Sequence, residues 1–224
     1  GPVAGQHVAQ QGRVRRQGFG VGQLGQVQVE LARDEVVGDP RTAGGDAGEH
    51  ASVFYRRDRF RPSDEGSFWL SDTPDEPVSN TWGSLYPRIA NHARFLDAEG
   101  PAFTLLTTHL DHEPGPHGDE VRGRSAALIA ERLAGTTGPV VFAGDCNEPA
   151  GTGTASRVFA EAGFEDAWLA AGDPSDRTAT FNDWQPPVDS AERIDWVLTR
   201  GINAVDRVVI DHDGPETWFA SDHF

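Results

Sequence analysis

Four short polar clusters close apolar stretches of this chain, and their residue types belong to acid–base and hard-cation chemistry. The one around which the others arrange is Gly144-Asp145-Cys146-Asn147, which follows the apolar run from Pro139 to Ala143. A carboxylate in that place can act as a base or hold a hard cation, and the amide two residues on can orient a water or a phosphoryl oxygen. Gly, Asp and Asn also build ordinary turns. The other clusters are Thr107-Thr108-His109-Leu110-Asp111-His112, Arg193-Ile194-Asp195-Trp196 and Ser221-Asp222-His223. Each has a plainer reading. His109 could be a core histidine, His109, Asp111 and His112 could hold a transition metal, Asp195 could pair with Arg193, and Asp222 could cap a helix. An acid within an apolar strand is costly unless paired, and Asp195 therefore asks for a histidine or a cation.

Those side chains need a scaffold, and the 224-residue length suits one large domain or two small ones. Six Trp and 12 Phe suffice for a core although only 37% of the chain is hydrophobic. There is no run of about 18 apolar residues that would span a membrane and no secretory leader pattern. One cysteine excludes an intrachain disulfide and a cysteine-based zinc site, and it is compatible with a cytoplasmic location. The net charge of −16 repels a phosphate backbone unless a local patch or bound cations reverse the field.

Residues 1–33 read as an atypical or disordered segment rich in Gly, Gln, Val and Arg, with a weak strand pattern at Gln26–Val29. A domain is expected over 34–224. A polar loop at Gly38–Gly48 precedes a strand at Ala51–Tyr55. A second apolar segment, Ser67–Leu70, is followed by a Pro-containing loop from Asp72 to Ser84. Arg88–Leu96 and Ala102–Thr108 flank the turn Glu99-Gly100 as a hairpin. Apolar spacing predicts a helix over Asp119–Leu133, with Asp119 and Glu120 at its N-terminal end. A second helix is expected over Thr154–Ala162 with Gly163 as its stop, then an extended Phe164–Trp168, and strands at Ile194–Leu198 and Ala204–Ile210. Strands with helices in the connections predict sheets covered by helices.

The ordered set Thr-His-Leu-Asp-His, Gly-Asp-x-Asn, Arg-Ile-Asp-Trp and Ser-Asp-His resembles the endonuclease/exonuclease/phosphatase superfamily. The flanks Val53 to Phe60, Gly66 to Ser71 and Pro87-Arg88 leading to Arg94-Phe95 resemble its small bacterial and archaeal members. The resemblance implies an α/β fold, a deoxyribonuclease I-like four-layer sandwich of two facing β-sheets flanked by helices. It also implies hydrolysis of a phosphodiester or phosphomonoester dependent on Mg²⁺ (or Mn²⁺). Carried across, Asp145 would position or deprotonate the attacking water and Asn147 would orient it. His109 would stand near the leaving or non-bridging oxygens. His223 would contact the phosphate, oriented by Asp195, and Arg88 would contact it too. Asp145, Asn147 and Asp222 would hold the metal. The implied partner is a phosphate-containing small molecule or a short nucleic acid, met by a monomer with no membrane role. Trp82 and Tyr86 could stack on a base. A phosphate-binding module without catalysis on the same fold is the alternative.

The resemblance stops upstream of about Asp34. The family's early strand Asn and its Gln-Glu metal ligand have no counterpart, since the first Asn of the chain is Asn80. Residues 1–30 therefore read as an out-of-frame translation of another beginning. Asp222 and His223 are expected on a frayed end, and the chain as it stands is expected to be marginally stable and weakly active.

Overall fold

The computed structural model describes residues 9–10, 13–14, 34–42, 49–172, 179–185, 192–212 and 221–224. Ten strands lie among them: β1 (Ala9–Gln10), β2 (Arg13–Val14), β3 (Asp34–Val37), β4 (Val53–Arg56), β5 (Phe60–Trp69), β6 (Ile89–Asp97), β7 (Phe103–His109), β8 (Val140–Asp145), β9 (Glu165–Asp166) and β10 (Asp195–Arg200). The helices are α1 (Gly115–Leu133), α2 (Thr154–Glu161) and α3 (Ala167–Ala170). β5-β6-β7-β8-β10-β9 form a mixed sheet in that order, and the β3-β4 and β1-β2 pairs are separate. The strand pattern expected at Gln26–Val29, and most of the segment 1–33, fall outside the described residues.

Alternation along the sheet explains the layers. Leu106 of β7, Val140 and Phe142 of β8 and Trp196 and Leu198 of β10 point to one face, where they pack with Val121, Ala126, Ile129 and Leu133 of α1 and Phe159 of α2. Ala93 and Phe95 of β6 point to the other face and meet Val37 and Val53 of the β3–β4 pair. The fold is an α/β sandwich with helices on one side of the six-stranded sheet and a second, short sheet on the other. Each fully buried large side chain, Trp196 and Phe142 among them, stabilises this arrangement by about 1.5–3 kcal/mol. β5 is an edge strand, which is why it tolerates Pro62 and a register shift between Pro62 and Asp64.

β6 and β7 pair antiparallel as the expected hairpin. β7, α1 and β8 make a crossover that leaves β7 and β8 parallel. Gly144 is required there, since a Cβ on it would lie 2.1 Å from the Thr108 carbonyl oxygen.

Several expectations are corrected. α1 begins at Gly115, one turn before Asp119, with Pro114 and Pro116 at its start, so its first turn carries no acid. Asp119 instead pairs with Arg122 at 2.5 Å. Trp168 lies in α3, because Asp166 accepts the Trp168 backbone N–H and caps a short helix where an extended segment was expected. Residues 204–210 form no strand, since β9, not this segment, fills the position next to β10. Residues 221–224 are not frayed: Asn182 N–H donates to the Asp222 carbonyl at 2.8 Å, and Phe224 N–H to the Thr180 carbonyl at 2.7 Å. Among the described residues no helix is long and apolar enough to cross a membrane.

Candidate active site

Register builds the site. His109, the last residue of β7, is the Cα partner of Asp145, the last residue of β8. Asp145 is in turn the partner of Asp195, the first residue of β10. One imidazole and two carboxylates thus form a row across three neighbouring strands. The chain approaches from the second-sheet side, with Ala51 accepting hydrogen bonds from Thr107 Oγ1 and Asn91 Nδ2.

The turn after β8 is both a turn and part of the site. Asn147 has φ +47°, a left-handed conformation that Asn tolerates. Its backbone N–H donates to Asp145 Oδ1 at 2.8 Å. Its side-chain amide donates to the Leu110 carbonyl at 3.2 Å and reaches His109 Nε2 at 2.9 Å. Cys146 points into the core, where burial pushes its thiol well above the ordinary range, so it is no nucleophile at neutral pH.

Asp145 stands between two imidazoles, His109 Nε2 at 3.2 Å and His223 Nε2 at 3.6 Å from its Oδ2. Each imidazole is backed by a further carboxylate. His223 Nδ1 donates to Asp195 Oδ2 at 2.8 Å, and His109 Nδ1 donates to Glu49 Oε1 at 2.5 Å. The row therefore alternates acid and base: Glu49, His109, Asp145, His223, Asp195. Arg193 pairs with Asp166, which removes it as a partner for Asp195. Thr180 Oγ1 accepts the Ile194 and Asp195 backbone N–H groups at 3.0 Å and fixes the start of β10.

Electrostatics follow from burial and pairing. Burial raises the Asp145 pKa and the Asp195 charge adds to this, against the lowering effect of the imidazoles and the Asn147 N–H. The hydrogen bond to Asp195 raises His223, assisted by the charges of Asp195 and Asp145. The hydrogen bond from His109 lowers Glu49.

Arg88, with only 3% of its side chain exposed, lines a small cleft with Arg41, Glu49 and His109. Among the described residues its Nε and Nη1 have no hydrogen-bond partner, and Glu49 Oε1 is 4.0 Å from Nη1. Burial and the neighbouring Arg41 lower its pKa. Asp222 adjoins His223 and raises its pKa by charge. Among the described residues no three His, Cys, Asp or Glu side chains form a metal-holding group. The His109–Asp111–His112 set disperses, with Asp111 accepting the Glu113 N–H and His112 bonding Arg88. Trp82 is buried, donating to Asp72 beneath the Arg124 guanidinium. Glu49 escaped the sequence reading because it lies in a glycine-rich polar stretch. Counting back by twos from buried Val53 through Ala51 puts Glu49 on the inward face, and that was its only signal.

A search of curated proteins returns no match. Among solved structures, the chain is similar to an endonuclease/exonuclease/phosphatase family protein from Bacteroides thetaiotaomicron, at 29% identity and TM-score 0.65, covering 78% of this chain and 63% of that one. It thus spans less than two thirds of that relative. A mannosyl-6-phosphatase from Bacteroides thetaiotaomicron is 29% identical with TM-score 0.73, over 89% of this chain and 78% of its own. The endonuclease/exonuclease/phosphatase from Bacteroides vulgatus is 30% identical with TM-score 0.69, over 80% and 69%. The sequence profile of the Endonuclease/Exonuclease/phosphatase family matches residues 27–223. The ordered motifs, the sandwich and this match agree, and the chain belongs to the endonuclease/exonuclease/phosphatase family.

Proposed function

We propose that the chain is a divalent-metal-dependent phosphoesterase and that its substrate is a small phosphomonoester. The observation that carries this reading is the row in which Asp145 lies between two carboxylate-backed imidazoles, beside a buried arginine with unsatisfied donors.

Hydrolysis of a phosphoester needs an activated water, neutralised phosphoryl oxygens and protonation of the leaving group. Asp145, with its raised pKa, is the base for the water. Asn147 orients that water. Asp195 holds His223 with its Nδ1 proton inward, so a cationic His223 presents Nε2–H to a phosphoryl or leaving oxygen. Glu49 holds His109 in the same sense on the other side. Arg88 meets a phosphoryl oxygen with its free N–H groups. The oxygen donors of Asp145 and Asn147 suit Mg²⁺ or Mn²⁺ in type, and Mg²⁺ completes its shell with waters; Asp222 is the remaining candidate donor. Such a cation would neutralise charge on the phosphoryl group.

Three features favour a small monoester over a long nucleic acid. The charge is −16, Trp82 is buried, and the Tyr86 ring already meets the Arg41 guanidinium and the His112 imidazole. The mannosyl-6-phosphatase among the similar structures points the same way. The test is a panel of sugar phosphates, nucleotides, a phosphodiester and single-stranded DNA and RNA, with Mg²⁺, Mn²⁺ or a chelator. Chelator-sensitive phosphate release from a small monoester is expected. The limited donor set among the described residues favours, as the second reading, a module that binds phosphate without cleaving it. Phosphate binding with no release from any ester would establish that reading instead.

A further inference from the structure

Arg88 is buried, yet among the described residues its side chain makes one hydrogen bond, from Nη2 to His112 Nδ1 at 2.7 Å. A guanidinium has only donors, so His112 Nδ1 accepts and the ring carries its proton on Nε2. The ring is also fixed in plane. Tyr86 stacks on it with centroids 6.0 Å apart and planes at 25°. The Arg41 guanidinium also lies over the Tyr86 ring, its Cζ 4.8 Å from the ring centroid, and pairs with Glu49 at 3.0 Å. Exposed Tyr86 and His112 thus adjoin a buried cation. The His112 Nδ1 acceptor turns the guanidinium so that Nε and Nη1 remain without hydrogen-bond partners among the described residues, beside His109 and Glu49.

We propose that His112 is a positioning residue for Arg88: its Nδ1 sets the rotation of the guanidinium that receives the phosphoryl group. The inference rests on the phosphoesterase reading for the identity of the bound group. Without the acceptor, nothing fixes the rotation of the guanidinium, and its free donors lose their aim at the bound phosphoryl group. A merely structural role for the imidazole would be served by its ring area alone; this role needs an acceptor at the Nδ1 position.

The experiment compares wild type, His112→Ala and His112→Asn, whose amide oxygen takes the place of Nδ1. Each is titrated with inorganic phosphate by calorimetry and assayed with p-nitrophenyl phosphate and Mg²⁺. His112→Ala is expected to weaken phosphate binding and lower kcat/KM about tenfold or more, the loss of a hydrogen bond to a charged group. His112→Asn is expected to restore both to within about threefold. Equal losses in the two variants, or no loss in His112→Ala, overturns the assignment. Wild-type protein that binds no phosphate overturns it too, since Arg88 then has no anion to meet. Wild-type protein that binds phosphate but releases none from an ester contradicts the phosphoesterase reading, while the binding comparison still decides the role of His112.

Discussion

Asp145 and Asp195 are Cα partners across the antiparallel pairing of β8 and β10, and His223 spans both, 2.8 Å from one carboxylate and 3.6 Å from the other. Two acids this close raise each other's cost of ionisation unless a cation lies between them. A protonated His223 would be that cation, and its Nδ1 is held by Asp195.

Asp195→Asn keeps the size of the side chain but can turn an amide N–H toward Nδ1. Turnover is expected to fall about 100-fold or more, with the far-ultraviolet spectrum unchanged. Steady-state rates at saturating substrate check this, and wild-type turnover in the variant would remove Asp195 from the mechanism.

The paired imidazole also has a signature in stability. The folded pKa of His223 lies above its ordinary 6.5, first because of the hydrogen bond to Asp195. Its contribution is therefore fully present below pH 6.5 and is lost as pH rises through the raised folded value. The Tm gap between wild type and His223→Asn is expected to be widest on the acid side of 6.5 and to close on the alkaline side. Melting curves across that window test the sign, and a gap that widens with rising pH goes against the pairing.

Gly144 sets the spacing on which the row depends. A Cβ there would press into the Thr108 carbonyl, backbone that cannot give way cheaply. Gly144→Ala is expected to cost about 1–3 kcal/mol and to lower turnover as His109 moves from Asp145. Gly135→Ala, whose Cβ meets nothing within 4 Å, is expected to be neutral within about 0.5 kcal/mol. Chemical denaturation of both variants is the check; equal midpoints would show that the contact is not limiting.

Much of this was legible in order along the chain, and what was lost was lost for physical reasons. The hairpin of β6 and β7, the helix α2 and the strand before Asp145 follow from alternation and spacing. The start of α1 did not, because Gly115 and Pro116 look like loop residues although Pro suits a first helical turn. The sequence around Trp168 suggests an extended segment because the cap that Asp166 supplies is a single side-chain bond. His109, Asp145, Asn147, Asp195 and His223 are visible as strand-end clusters, but the row of imidazoles and carboxylates is not. It is a matter of register between strands distant in sequence, which no local pattern carries. Glu49 touches the row through His109, and such a partner leaves no spacing to read; His112 stands in a legible cluster, but its bond to Arg88 is not legible there. Glu148 is similar: it accepts N–H groups from Thr154, Ala155 and Ser156 and caps α2, a role that its position beside Asn147 conceals.

Asp145 is the residue on which every part of the account converges. The most direct measurement is phosphate release from a small phosphomonoester with Mg²⁺ by wild type and Asp145→Asn, both shown folded by their melting curves. The account predicts release by wild type and a loss of about 1000-fold or more in the variant, equivalent to about 4 kcal/mol of transition-state stabilisation. Undiminished release by Asp145→Asn would contradict it.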